Sequence, residues 1–384
     1  MLKRIILPVV VLGFLLLNTS SFGQGNTKSS ITGEVKTKSG AQLIGAAIVA
    51  VHTPSGTKYG TIAREDGHFD LSGLRIGGPY TITVSYSGYA SDKVSDVYLQ
   101  LGQSYKFKAI LDENTSALSE VIVGAAKSGL NNSQTGAESI IDADQINNLP
   151  TVSRSIADFA RTNPMTSVDG DNVLSVAGNN NRYNSIFIDG AVNNDVFGLA
   201  ASGTNGGQTG GSPISLDAID QIQLVVAPYD VTIGGFAGGG INAVTRSGTN
   251  KTEASVYSLT RNQGLAGRTP TDNTSVTPEK LANFSANTFG ARVGGAITKD
   301  KLFYFVSIET QRQTTPQPFN FADYTGTSSA SQIDAFRSKL KNDYNYDAGG
   351  YLDNPDELNS NKVFIRFDYN MSQKHKLMVR HSYA

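Results

Sequence analysis

Lys362-Val-Phe-Ile-Arg-Phe-Asp-Tyr-Asn370 sets Val363, Ile365, Phe367 and Tyr369 against Lys362, Arg366 and Asp368. A period of two makes this a β-strand with one apolar and one polar face. The same alternation runs through 289–298, where Phe289, Ala291, Val293 and Ile297 oppose Gly290, Arg292, Gly294 and Thr298. It continues through 301–312, where Leu302, Tyr304, Val306 and Ile308 oppose Ser307, Glu309 and Gln311. Leu377, Val379 and Tyr383 against Lys376, Arg380 and Ser382 carry it to the end of the chain. With a first strand at 254–261, the connections are 262–288, 299–301, 313–361 and 371–375, alternately long and short. Strands of about 10 residues with an apolar outer and a polar inner face, joined by short turns at one end and long loops at the other, are the pattern of a transmembrane β-barrel. A first long loop means that the first strand rises from the periplasm. A soluble sandwich also alternates, but structureless connections of that length have no place in one. Within the second long connection, 331–344 reads as a short amphipathic helix with Ile333, Phe336 and Leu340 on one face.

Upstream lies a region of mixed character, 137–247. Residues 140–149 and 153–162 read as short helices, the second following Pro150 and a Thr or Ser cap. Within NNRYNSIFIDG at 180–190, residues 184–190 run a strand into a turn, and 216–226 runs a helical turn into a strand. APYDVTIGGFAGGGINAVTRSGTNK at 227–251 joins a glycine cluster to a β segment. A dinucleotide-binding glycine loop opens a helix, whereas the β-favouring run 241–245 follows here, so the cluster reads as backbone packed closely against a barrel wall. These stretches, with AIDQIQLV at 218–225, resemble the plug domain of TonB-dependent outer-membrane receptors, most closely the Oar-like branch. The motif residues of the resemblance are Ile188, Asp189, Gly190, Gly238, Gly239, Gly240 and Asn242. Many siderophore receptors have an aromatic residue before a single Gly pair where this chain has GGFAGGG, so the resemblance carries no siderophore specificity.

Residues 30–112 read as a small β-sandwich. Short alternating runs at 31–35, 46–51, 58–62, 67–71, 80–86 and 105–111 are separated by Pro54-Ser-Gly56, Glu65-Asp-Gly67 and Gly77-Gly-Pro79 turns. ITGEV (31–35), LIGAAIVAV (43–51), REDGHFDLSGL (64–74) and GPYTITVSYSGY (78–89) resemble the carboxypeptidase-regulatory-like domain, a transthyretin-like or starch-binding-like sandwich often fused before receptors of the Bacteroidetes type. His52 and His68 have no clustered carboxylate or Cys at metal-ligand spacing and read as surface or turn residues.

The linker 113–136 is rich in Asn, Ser and Gly around one apolar island at 118–125. That island is either a last edge strand of the sandwich or a TonB box. Under the resemblance the box is Glu120, Val121, Ile122, Val123, Gly124 and Ala125, a β-prone segment able to add a strand to TonB.

At the N-terminus, Lys3 and Arg4, the apolar run 5–17 and Ser21-Phe22-Gly23 follow the order of a secretory signal peptide cleaved before Gln24. The run is too short for a membrane helix, which needs roughly 20 apolar residues. Composition agrees with an envelope β-protein. Of 384 residues none is Cys, 40 are Gly, 33 are Tyr or Phe, and the net charge is -1. A disulfide scaffold, a thiol enzyme and nucleic-acid binding through global charge are thereby excluded. No nucleophile elbow, zinc-binding helix motif or phosphate loop occurs, Asp169-Gly-Asp171 is too short for a calcium loop, and His375 and His381 have no nucleophile to serve. The chain reads as a non-enzyme without cofactor or metal.

The fold expected is mainly β: a sandwich at 24–112, a linker at 113–136, an α+β plug at 137–247 and the first strands of an antiparallel transmembrane barrel at 248–384. The resemblance implies an outer-membrane receptor that takes up a large solute, with TonB and its inner-membrane energising complex, outer-membrane lipid and a surface lipoprotein as partners. Alternative readings are an envelope-organisation or protein-export component, and a soluble carbohydrate-binding protein. A plugged transporter barrel needs roughly 22 strands, and there is room after Asn250 for about five. The 384 residues are therefore expected to be the N-terminal part of a longer protein, unable to transport by themselves.

Overall fold

The computed structural model describes residues 27–384 apart from 114–135, 150, 152–153, 170–172, 196, 201, 229–232, 273–274, 276, 318–320, 322–323, 353–354 and 374. The expected signal peptide at 1–23 and the expected TonB box at 120–125 lie outside the described residues.

Two sheets make the N-terminal sandwich. In one, β1 (Ser29–Thr37) lies between β4 (His68–Leu74), antiparallel, and β7 (Ser104–Leu111), parallel. The other has β2 (Ala47–His52), β3 (Thr57–Ile62), β5 (Gly77–Ser85) and β6 (Asp92–Leu99) in the order β3-β2-β5-β6. Alternate residues meet between the sheets, among them Ile31, Val35, Ile48, Phe69, Ile82 and Phe107. Strand β6 is missing from the sequence expectation. It is an edge strand, it pairs with β5 through register shifts, and Asp96 sits at φ +59, so its alternation is broken by a bulge. His52 also corrects the expectation of a surface residue. It is buried against Tyr80, its Nδ1 lies 2.6 Å from Ser55 Oγ, and burial pushes its pKa down to about 3.

The second unit is a five-stranded sheet ordered β12-β11-β14-β13-β8. It is built from β8 (Gly136–Ile141), β11 (Ser185–Ile188), β12 (Ala191–Val192), β13 (Ile219–Pro228) and β14 (Gly240–Thr245), with the two-stranded β9 (Thr166–Val168) and β10 (Leu174–Val176) beside it. Helices α1 (Ala143–Asn148) and α2 (Ile156–Ala160) cover one face, over Ile141, Ile186, Ile188, Ile222, Leu224, Ile241 and Ala243. The expected helix at 140–149 is divided: Ile140 and Ile141 end β8, and α1 starts only after Asp142. That residue caps the helix in a reciprocal capping box with Gln145, which fixes the boundary.

The third unit is an open wall of five antiparallel strands in chain order: β15 (Glu253–Asn262), β16 (Ser285–Thr298), β17 (Leu302–Thr315), β18 (Asp356–Asn370) and β19 (Lys376–Tyr383). Their connections, 263–284, 299–301, 316–355 and 371–375, keep the long-short alternation. Strands β16, β17 and β18 extend well beyond the expected 10 residues, because polar stretches such as 356–361 continue the backbone pairing and are held by side-chain bonds from Arg312 and Gln317. Val256, Phe289, Ile297, Ile308, Leu377 and Val379 are exposed on the outer face. On the inner face Phe303, Phe305 and Phe364 are buried beside the polar residues, so that face is less uniformly polar than expected. Helix α3 (Ala330–Tyr344) is capped by Ser329 and Gln332, but its expected apolar face enters no core: no residue of it is buried, Ile333 and Leu340 are half-buried, and Phe336 is 61% exposed.

Candidate functional site: the plug on the inner wall

Strand β11 ends at Ile188, and Asp189 turns the chain in the left-handed region at φ +47. Its amide donates to the Ala243 carbonyl at 2.8 Å, and its carboxylate accepts from the Thr245 amide and hydroxyl, each at 2.7 Å. These bonds aim the carboxylate at the wall. Arg380 Nη1 lies 3.2 Å from Asp189 Oδ2 and Arg366 Nη1 lies 3.7 Å from Oδ1, with the Asp189 side chain only 1% exposed. Arg366 and Arg380 stand directly opposite one another on β18 and β19. Two cations so placed repel, and burial makes the repulsion worse. Acceptors offset it on every side. Arg366 holds Asp368 through two 2.8 Å bonds and donates to the Thr245 carbonyl at 2.8 Å, while Arg380 donates to the Ile188 carbonyl at 2.6 Å.

A second contact lies farther up the wall. Glu309 of β17 and Lys362 of β18 are cross-strand neighbours on the inner face, joined at 2.8 Å and both buried. Ser215 of the plug donates to Glu309 Oε2 at 2.9 Å, and the Tyr257 hydroxyl of β15 donates to the same oxygen. The Tyr257 ring occupies the space over Gly290, where any Cβ would collide with it. Asp217, two residues after Ser215, meets Arg292 of β16 at 3.2 Å and accepts from the Ser255 hydroxyl. Between these polar contacts Phe305 and Phe364, edge to face at 6.2 Å, enter the apolar core of the plug. Above them a cavity of about 1040 Å³ separates plug from wall, lined by Arg154, Gln208, Arg261, Gln311, Gln313 and Glu357.

Of the sequence motif, Ile188 and Asp189 come to this interface, and Gly190 continues their turn at φ +81. Gly238, Gly239 and Gly240 do not, and the expected packing against a barrel wall is corrected: their nearest neighbours are the plug's own Asn184, Val176 and Phe236. The space beneath the glycines is filled from β10 and from the cluster itself. Asn242 is buried opposite Gln223 on the sheet face turned away from the apolar core. The partners Glu309, Arg366 and Arg380 were visible in sequence as polar inner-face residues, but which plug atoms they meet depends on a register between distant elements. Ser215 and Tyr257 gave no signal of this kind. Among the described residues no group of three or more His, Asp or Glu side chains could hold a metal ion.

Three family models match in chain order: a carboxypeptidase regulatory-like domain over 30–112, a TonB-dependent receptor plug domain over 131–241, and an outer membrane beta barrel domain over 244–325. The chain is 26% identical over 352 residues to the TonB-dependent transporter Oar of Myxococcus xanthus, covering 88% of this chain and 31% of that protein. Among solved structures, the siderophore receptor PirA of Acinetobacter baumannii is similar at 18% identity and a TM-score of 0.41, covering 64% of this chain and 31% of that one. The outer membrane transporter YddB of Escherichia coli is similar at 16% identity and a TM-score of 0.43, covering 64% and 32%. The chain thus spans about a third of the length of these relatives. The three matched regions in their order, with the similarity to Oar, support a TonB-dependent receptor of the outer membrane.

Proposed function

We propose that the protein takes up a large solute across the outer membrane through a barrel closed by its plug, with energy delivered by TonB and no covalent chemistry. The observation that carries this reading is the plug's seat on the inner wall through buried charges, Asp189 with Arg366 and Arg380, and Ser215 with the Glu309–Lys362 pair. Breaking one side of a buried pair costs about 3–5 kcal/mol, so the plug is held at rest. When plug and wall part, water enters and solvates the same groups, an outcome that a purely apolar seat of this area would oppose. Charged seating therefore suits a plug that must leave and return.

Glu120, Val121, Ile122, Val123, Gly124 and Ala125 are the proposed TonB box, in the segment between Glu113, where the described sandwich ends, and Gly136, where β8 begins. Asp189 and Gly190 form the plug's anchoring turn, and the cavity between the plug and the inner face of the wall is where solute first meets the plug. Outer-membrane lipid covers the exposed apolar face, and a surface lipoprotein is a further proposed partner. Deleting 120–125 is expected to abolish TonB-dependent uptake while the protein still reaches the outer membrane. Undiminished uptake would remove the box assignment.

A further inference from the structure

The face of the plug sheet opposite its apolar core is also buried, and the cover is the sandwich. Gln221, Gln223, Asn242 and Val244 share this face, by the pairing of β13 with β14. The turn after β6 lies on it: the Leu101 amide donates to Gln221 Oε1 at 3.0 Å, and a Cβ on Gly102 would lie 2.6 Å from Gln223 Nε2. Ile76, Leu101 and Val244 close into a small apolar cluster between the two units.

The sandwich reaches two more parts of the molecule. Arg75 donates to the carbonyls of Ser247 and Gly248 at 3.3 and 3.4 Å, and the Asn250 amide donates to the Pro54 carbonyl at 2.8 Å, both on the crossover from plug to wall. At the wall's short-turn end, Asn370 Nδ2 donates to Thr57 Oγ1 at 3.0 Å, and Lys376 Nζ sits 3.2 Å from the centre of the Tyr59 ring. Short turns mark the periplasmic end of such a wall. Lys28, just before β1, lies among Arg366, Asp368, Arg75 and Asp189, and burial holds its pKa below the usual lysine range.

The chemistry of the covered face is that of a surface made to separate. A permanently buried face would be apolar throughout, whereas this one sets two glutamines and an asparagine, groups that water can satisfy when the cover leaves, among Phe187, Val225 and Val244. We propose that the N-terminal sandwich is a reversible retaining cap, binding the plug sheet, the plug-to-wall crossover and the periplasmic turns at once. The plug moves toward the periplasm only after these contacts open. The inference rests on the plugged-barrel reading.

The test uses the absence of native cysteine. Two pairs are introduced separately into the protein, Ile76→Cys with Val244→Cys between sandwich and plug, and Thr57→Cys with Asn370→Cys between sandwich and wall. Disulfide formation is read in isolated outer membranes, and channel opening is read as conductance in planar bilayers over a urea series. Both pairs are expected to cross-link in most molecules, and each disulfide should move opening to higher urea, a shift that reductant reverses. Failure of both pairs to cross-link, or opening at the same urea concentration in oxidised and reduced forms, would overturn the retaining cap. Absence of conductance in every form at every urea concentration would instead overturn the plugged barrel itself.

Discussion

The plug has two neighbours and meets them by different chemistry. Toward the wall it presents Asp189, Ser215 and Asp217 to Arg366, Arg380, Glu309, Lys362 and Arg292, with two phenylalanines between. Toward the sandwich it presents mostly amide side chains, backbone carbonyls and buried apolar residues, with Lys28 approaching Asp189. Charge pairs in a low-dielectric seat are costly to break singly, while neutral hydrogen bonds contribute about 1 kcal/mol each. The difference teaches an order of events: the cap loosens before the seat.

The largest expected effect tests the charged side of this comparison. Asp189→Asn keeps the hydrogen bond to Thr245 within reach but leaves Arg380 facing Arg366 without the plug carboxylate, and should weaken plug seating by about 3–5 kcal/mol. A lower urea midpoint for channel opening in bilayers would report it. Glu309→Gln should cost somewhat less, about 3 kcal/mol, because the Ser215 and Tyr257 hydroxyls still have an acceptor while Lys362 loses its charge partner. Adding Lys362→Met to that variant should recover much of the loss in the same assay, since it removes the buried unpaired cation.

Smaller effects sharpen the other side. His52 is neutral in the sandwich core with its pKa held near 3, against 6.5 in the unfolded chain, because burial disfavours the imidazolium. Between these values the unfolded state binds the additional proton, so stability is lost as the pH falls below about 6.5, by about 1.4 kcal/mol for each unit well inside that window. Calorimetry at pH 7 and pH 5 should show this acid sensitivity in the sandwich transition, and His52→Gln should flatten it. The smallest effect is expected from Arg75→Ala, about 1 kcal/mol of docking free energy from two long bonds to carbonyls, seen as a lower cross-linking yield in the Thr57→Cys/Asn370→Cys pair.

What could be read from sequence divides along the same line. Alternation in 362–370 and the long-short rhythm of the connections placed the wall, and the IDG turn placed Asp189 at a point that matters, because both depend on neighbours a few residues apart. Strand β6 escaped because Asp96 breaks its period, and the boundary at Asp142 depended on a capping bond that overrides the apolar pattern of 140–149. The glycine cluster was assigned to the wrong surface, since a glycine records only that something is close, not which element it is. Neither the partners of Asp189, 177 and 191 positions away by the numbering of Arg366 and Arg380, nor the docking of Leu101 on Gln221, leaves a local trace. Such contacts are set by the register of whole sheets.

The most direct measurement of the charged seat is a double-mutant cycle across it, with Asp189→Asn, Arg380→Met and the two combined, each read as the free energy of channel opening in urea. A seat held by this pair predicts strong coupling, on the order of 2 kcal/mol or more between the two positions. Effects that simply add, within about 0.5 kcal/mol, would contradict it.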